Sequence, residues 1–140
     1  NDIKNLENIA EIYCDRNDIP SEKSKIVFLT NNLLNSSLIK SLKNKKYYKE
    51  IWVSNRIDDY DLEGSIDLLI ENNDRSYSII DYKTTSEKNF YNLSKVAESY
   101  NSQILDYVKI LKSQKKIVKD AKLLFVGEFM EEAFEYNIDI

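Results

Sequence analysis

The chain of 140 residues contains no histidine, which excludes Ser-His and Cys-His nucleophilic triads and any histidine-ligated zinc site. Its one cysteine, Cys14, can form no internal disulfide and no thiolate cluster, which fits a reducing compartment, the cytoplasm. Two glycines and one proline are few punctuation marks, so element boundaries must come from periodicity and from Asn, Asp and Ser clusters. No apolar run approaches the roughly 18 to 20 residues that a membrane span needs, so no membrane partner is expected. No Gly-x-x-x-x-Gly-Lys-Ser/Thr loop occurs, which excludes a P-loop ATPase within these residues. No secretory pattern opens the chain; it begins at Asn1, which reads as the edge of an excised fragment.

What remains is carboxylate and lysine chemistry on an ordinary globular background, 42% hydrophobic and 31% charged. The length predicts a single domain over residues 1–140. A net charge of −4 means that any nucleic-acid site must be local, because phosphate contacts need clustered cations. Lysines do cluster, at 40, 43, 45, 46 and 49 and at 109, 112, 115, 116 and 119. Solvated helix ends account for such clusters without any ligand.

Apolar spacing at Leu6, Ile9, Ala10 and Tyr13 predicts a first helix, ended by the polar run to Asp18 and by Pro20. Ser21 is a candidate cap for a second helix with Ile26, Leu29, Leu33 and Leu34 on its buried face, and Ser36 or Ser37 for a short third one carrying Leu38, Ile39 and Leu42. Extended residues follow from Tyr47, with Tyr48, Ile51, Trp52, Val53 and Ile57 in a strand of unclean period. After a turn through Asp58–Asp61, strands are predicted over 62–71 and 75–84 around the turn formers Asn72, Asn73 and Asp74. A long amphipathic helix over 92–113, a strand over 122–129 and an extended segment over 133–140 complete an α/β pattern.

A hairpin centred on Asp74 pairs residues equidistant from it. Asp67 then faces Asp81, Leu69 meets Ile79 on the same face, and Leu68 meets Ile80 and Ile66 meets Tyr82 on the other. Lys83 points the same way as Asp81. Two opposed carboxylates repel and require a cation or a proton. Lys83 offsets part of the charge, and what is left is the incomplete oxygen shell that Mg²⁺ prefers, with a phosphodiester as its natural guest. The competing account is a solvent-facing hairpin whose Lys83 is a cross-strand salt-bridge partner.

The surrounding runs are EGSIDLLI, IIDYKTT and YNSQILDY. Over roughly residues 50–129 they resemble the nuclease domains of the RecB and AddA helicase-nucleases, in the PD-(D/E)xK superfamily. Gly64 and Asp67 match that family's Gly-x-x-Asp strand, Asp81, Tyr82, Lys83 and Thr84 its Asp-Tyr-Lys-Thr strand, and Tyr100, Gln103 and Tyr107 its Tyr-x-x-Gln-x-x-x-Tyr helix.

The resemblance implies a restriction-endonuclease-like core, a mixed β-sheet whose central antiparallel hairpin is flanked by helices. It implies Mg²⁺, with Mn²⁺ as substitute, on Asp67, Asp81 and the Tyr82 carbonyl, with Lys83 serving the attacking water and Gln103 and Tyr107 beside the site. DNA, single-stranded and fed by helicase domains of the same polypeptide or complex, is the implied substrate, and double-strand break repair the implied setting. Thr84, Tyr100 and Glu50, the last opening the first strand, are further candidates. Two departures stand out. The upstream histidine common in the family is absent, which leaves Glu7 or Glu11 as a replacement, places that helix outside the fragment, or makes the metal site weaker than usual. Cys14 alone cannot hold the four-thiolate iron-sulfur cluster of some relatives. A catalytically silent copy of the fold, serving DNA binding or protein docking, is the alternative.

Overall fold

The computed structural model of the protein describes residues 2–17 and 22–140. Among them, β1 (Lys46–Ile57), β2 (Tyr60–Glu71), β3 (Tyr77–Thr84), β4 (Val118–Val126) and β5 (Phe134–Ile138) form one mixed sheet in sequence order. Neighbours are antiparallel except β3 and β4, which run parallel and are joined by α4 (Glu87–Phe90) and α5 (Leu93–Ser113). The expected α/β fold, a central hairpin in a mixed sheet flanked by helices, is the one observed. Before the sheet come α1 (Asp2–Arg16), α2 (Lys23–Leu34), α3 (Ser37–Lys40) and a 3₁₀ turn (Ser41–Asn44). Among the described residues no helix is long and apolar enough to cross a membrane.

Both hairpins close with turn chemistry that their residues dictate. Asp58 and Asp59 take φ of 49° and 66°, the two left-handed positions of a two-residue turn that Asp tolerates, and so Ile57 pairs with Tyr60. In the β2–β3 turn, Asp74 Oδ1 accepts from the Ser76 amide at 3.0 Å and from its hydroxyl at 2.6 Å. That turn fixes Leu68 opposite Ile80 and Leu69 opposite Ile79, the register expected from the sequence.

The sheet separates two cores. On one face α5 lays Ala97, Ile104, Val108 and Leu111 over Val53, Leu69, Ile79, Leu123 and Phe125. On the other, Leu38 and Leu42 cover Leu68, Ile70, Ile80 and Leu124. Ser36 caps α3 by accepting from the Ile39 amide at 3.2 Å, as its position predicts.

Several expectations are corrected. Ile66 does not share a face with Leu68; it joins Leu69 in the core under α5. The strands begin earlier at Tyr60 and Val118 and later at Tyr77, because Arg75, with φ of 67°, belongs to the turn. Ile9 of α1 and Leu34 of α2 are exposed, whereas Ala10 of the expected stripe is buried, and Cys14 and Asn32 are buried with it. Asn32 earns its burial by donating to the Met130 carbonyl at 2.7 Å, a partner that no periodicity announces. Ser21 and the side chains of Leu6 and Tyr13 lie outside the described residues.

The unclean period of β1 now has a cause. Successive residues of a strand alternate faces, yet Tyr48 and Ile51, three apart, both pack under α5, as do Ile66 and Leu69 on β2. The pairing is unchanged on either side, Lys49 with Leu68 and Ile51 with Ile66, so no residue is inserted. Both strands turn over together at Glu50 and Asp67, and Glu50 takes the left-handed φ of 49° to do so.

Candidate metal centre

At the turnover point β2 lacks a regular partner on either side. The ladder to β1 skips Glu50 and Asp67, and the ladder to β3 reaches only Leu68 and Ile80. Asp67 and Asp81 therefore do not form a ladder pair; instead Asp67 Oδ2 accepts from the Tyr82 amide at 2.8 Å. The carboxylate substitutes for a backbone acceptor and wedges the strands open. In an extended strand a residue's N–H and C=O point to the same neighbour, so the Tyr82 carbonyl faces the same gap.

Asp81 sits on the core face of β3 and is only 3% exposed. Lys83 Nζ stands 2.7 Å from its Oδ2, so the buried carboxylate has a close cationic partner that compensates its charge in part. Burial pushes the Asp81 carboxyl above the ordinary carboxylate range; Lys83 pulls it down and the adjoining Asp67 pushes it up again. The Lys83 ammonium in turn lies over the Tyr100 ring, 4.3 Å from its centroid, which fixes the long side chain between a carboxylate and an aromatic face.

Helix α5 supplies the roof. Tyr107 is a buried core residue, more enclosed than a residue at the margin of a helix stripe would be. Burial raises its phenol pKa and Asp81 adds to the rise, while the neighbouring Gln103 side chain opposes it. Gln103 itself is exposed. Gly64 is required by close approach: a Cβ there would stand 2.5 Å from Tyr107 Cε1 and 3.1 Å from its hydroxyl. The Gly-x-x-Asp spacing thus makes room for the tyrosine that roofs Asp81.

On the Asp67 side the gap opens into a recess of about 380 Å³ lined by Lys49, Glu50, Asp67 and Tyr82. Burial and the Asp67 charge push the Tyr82 phenol up to about 12, so it stays protonated. Glu50 is accordingly brought to the site, and Lys49, which no motif pointed to, comes with it; the broken period of β1 was the available signal. Thr84 is not brought in: it is exposed and lines a separate groove with Lys25, Ser86 and Glu128. Neither candidate replacement for the histidine reaches the carboxylates. Glu11 pairs with Lys23 at 3.5 Å and Glu7 lies beside Lys23, Ser24 and Phe28. Among the described residues no third acidic, cysteine or histidine side chain completes a metal-binding group with Asp67 and Asp81.

Residues 9–133 match the model of the PD-(D/E)XK nuclease superfamily. The chain belongs to that superfamily. Its sheet, its central hairpin and its Asp-x-Lys strand are those of a nuclease-type domain of the superfamily, whose members generally use divalent metals. Among solved structures it is similar to that of SSO0001, with a TM-score of 0.50 and 19% identity, a likeness of fold alone. The match covers 96% of this chain and 62% of that one, so the chain spans less than two thirds of that neighbour's length. No curated protein matches it.

Two predictions follow from this geometry. Gly64→Ala is expected to destabilise the protein by about 1–3 kcal/mol, the cost of overpacking against a ring that the core holds in place, read from the urea midpoint. The Asp81 carboxyl, with its pKa raised by folding, ionises at the expense of stability: the cost is absent below the ordinary carboxylate pKa, grows as pH rises through the folded value and is complete above it. Asp81→Asn should therefore raise the Tm of metal-free protein at neutral pH, with the gain vanishing in acid.

Proposed function

We propose that the chain is the Mg²⁺-dependent deoxyribonuclease domain of a RecB/AddA-type helicase-nuclease, hydrolysing DNA phosphodiester bonds in double-strand break repair. The observation that carries this reading is a carboxylate, Asp81, buried in the core with Lys83 at 2.7 Å and a second carboxylate, Asp67, adjoining it. An all-oxygen set of two carboxylates and one backbone carbonyl fits Mg²⁺, which keeps its remaining positions for water and phosphate. Asp67, Asp81 and the Tyr82 carbonyl would hold the ion, and Mn²⁺ would substitute.

When bound, the divalent ion polarises the phosphoryl group and neutralises developing charge. The chain's own residues do the rest. Asp67, tied to the Tyr82 amide, and Asp81, buried and paired with Lys83, are oriented before any ligand arrives. Lys83, pinned between Asp81 and Tyr100, offers an ammonium that orients the attacking water and stabilises the negative charge that forms on phosphate. Gln103, exposed next to Tyr107, would hold a phosphate oxygen or a water on that side of the site. The helicase motor, single-stranded DNA as substrate and a cytoplasmic setting belong to this proposal and rest on the family motifs.

The test is digestion of single- and double-stranded DNA in Mg²⁺ or Mn²⁺, with and without chelator. The wild type should cut only with metal, and Asp67→Ala, Asp81→Asn and Lys83→Gln should each lose at least about 10²-fold. A wild type that cuts nothing in either metal, or an Asp81→Asn as active as wild type, would overturn the proposal and leave a silent binding module.

A further inference from the structure

The second core covers only part of its face of the sheet. Leu38 and Leu42 lie over β2, β3 and β4, and the stretch of β1 beside them is bare. Register identifies the side chains on that bare face. Tyr47 and Lys49 pair with Ile70 and Leu68, both of the second core, and so share their face. Beyond the turnover, Trp52 pairs with Ser65, which faces away from α5 because Gly64 and Ile66 face it. Tyr47, Lys49 and Trp52 therefore form one row, with Tyr47 41% and Trp52 61% exposed.

This row adjoins the recess at Asp67, whose lining includes Lys49 and, from the same face of β3, Tyr82. Of the row, Lys49 reaches the recess, beside Glu50, while Tyr47 and Trp52 stand on either side of it along β1, in a chain of net charge −4. The nearby Glu71 is offset by Lys46 at 3.7 Å. Past Trp52 the aromatic row stops, with Glu63 opposite Ser54 and an Asp61–Arg56 pair of opposite charge beyond it. From Tyr47 to Trp52 the strand runs about 16 Å, the length of a few nucleotides.

We propose that the Tyr47–Lys49–Trp52 row of β1 is a single-strand track, on which unpaired bases stack while Lys49 takes a backbone phosphate next to the scissile one. This rests on the nuclease reading for its direction toward Asp67. Stacking on open aromatic faces is sequence-tolerant and favours unpaired strands, since paired bases already bury their faces. The track discriminates single strands from duplex, and its end at Glu63 sets where the strand leaves.

Trp52 is the chain's one tryptophan, so its emission reports on the track directly. Metal-free protein is titrated with a labelled oligothymidine and with duplex of equal length, following tryptophan emission and label anisotropy together. Emission should be quenched in step with single-strand binding and change little with duplex. Trp52→Ala should weaken single-strand binding about tenfold or more and raise KM for single-strand digestion with kcat nearly unchanged, and Trp52→Phe should restore most of the affinity. If the oligonucleotide does not bind, or binds without quenching and equally well to Trp52→Ala, the track is wrong, whether or not the wild type cuts DNA. If binding and quenching depend on Trp52 while no metal supports cleavage, the track stands and the nuclease reading falls.

Discussion

The structure turns on a carboxylate that has taken a backbone group's place. Asp67 accepts the Tyr82 amide hydrogen that a regular β2–β3 ladder would have given to a carbonyl, and at the same residue the β1–β2 ladder lapses. Sheets seldom give up pairing on both sides of a central strand, because unpaired backbone groups away from water are costly. Here the loss creates a gap into which one carboxylate, one carbonyl and a recess open. The left-handed Glu50 is the local strain that accompanies it, and such strain belongs where surrounding structure over-determines the conformation.

The rest of the molecule holds that gap in shape. Asp81 is on the core side, where burial makes its charge unfavourable and Lys83 compensates it in part. Helix α5 closes the site with Tyr107, which Gly64 admits, and with Tyr100, which backs Lys83. Each family motif thus has a mechanical reason: the glycine makes room, the lysine balances charge, and the helix tyrosines enclose the pair.

The hairpin, its register and the long helix were legible in the sequence because they rest on local chemistry: Asn72 to Asp74 as turn formers, alternation at Leu68, Leu69, Ile79 and Ile80, and helical spacing from Val96 to Leu111. The face of Ile66 was not, since a strand that turns over without changing its pairing violates the alternation on which the reading depends. The same event hid Lys49 and explained the broken period of β1. Burial of Asn32 depends on the Met130 carbonyl, remote in sequence, and so escapes a periodicity argument. Of the candidate residues, Asp67, Asp81, Lys83, Tyr100 and Tyr107 come together, Tyr82 and Glu50 border the gap, Gln103 is exposed beside Tyr107, and Thr84 falls outside it.

Anomalous diffraction from a crystal soaked in Mn²⁺ bears most directly on the claim that this gap is a metal centre. The account predicts an anomalous peak at the site formed by Asp67, Asp81 and the Tyr82 carbonyl, lost in Asp67→Ala. A well-diffracting, Mn²⁺-saturated crystal with Lys83 still seated on Asp81 and no peak at that site would contradict it.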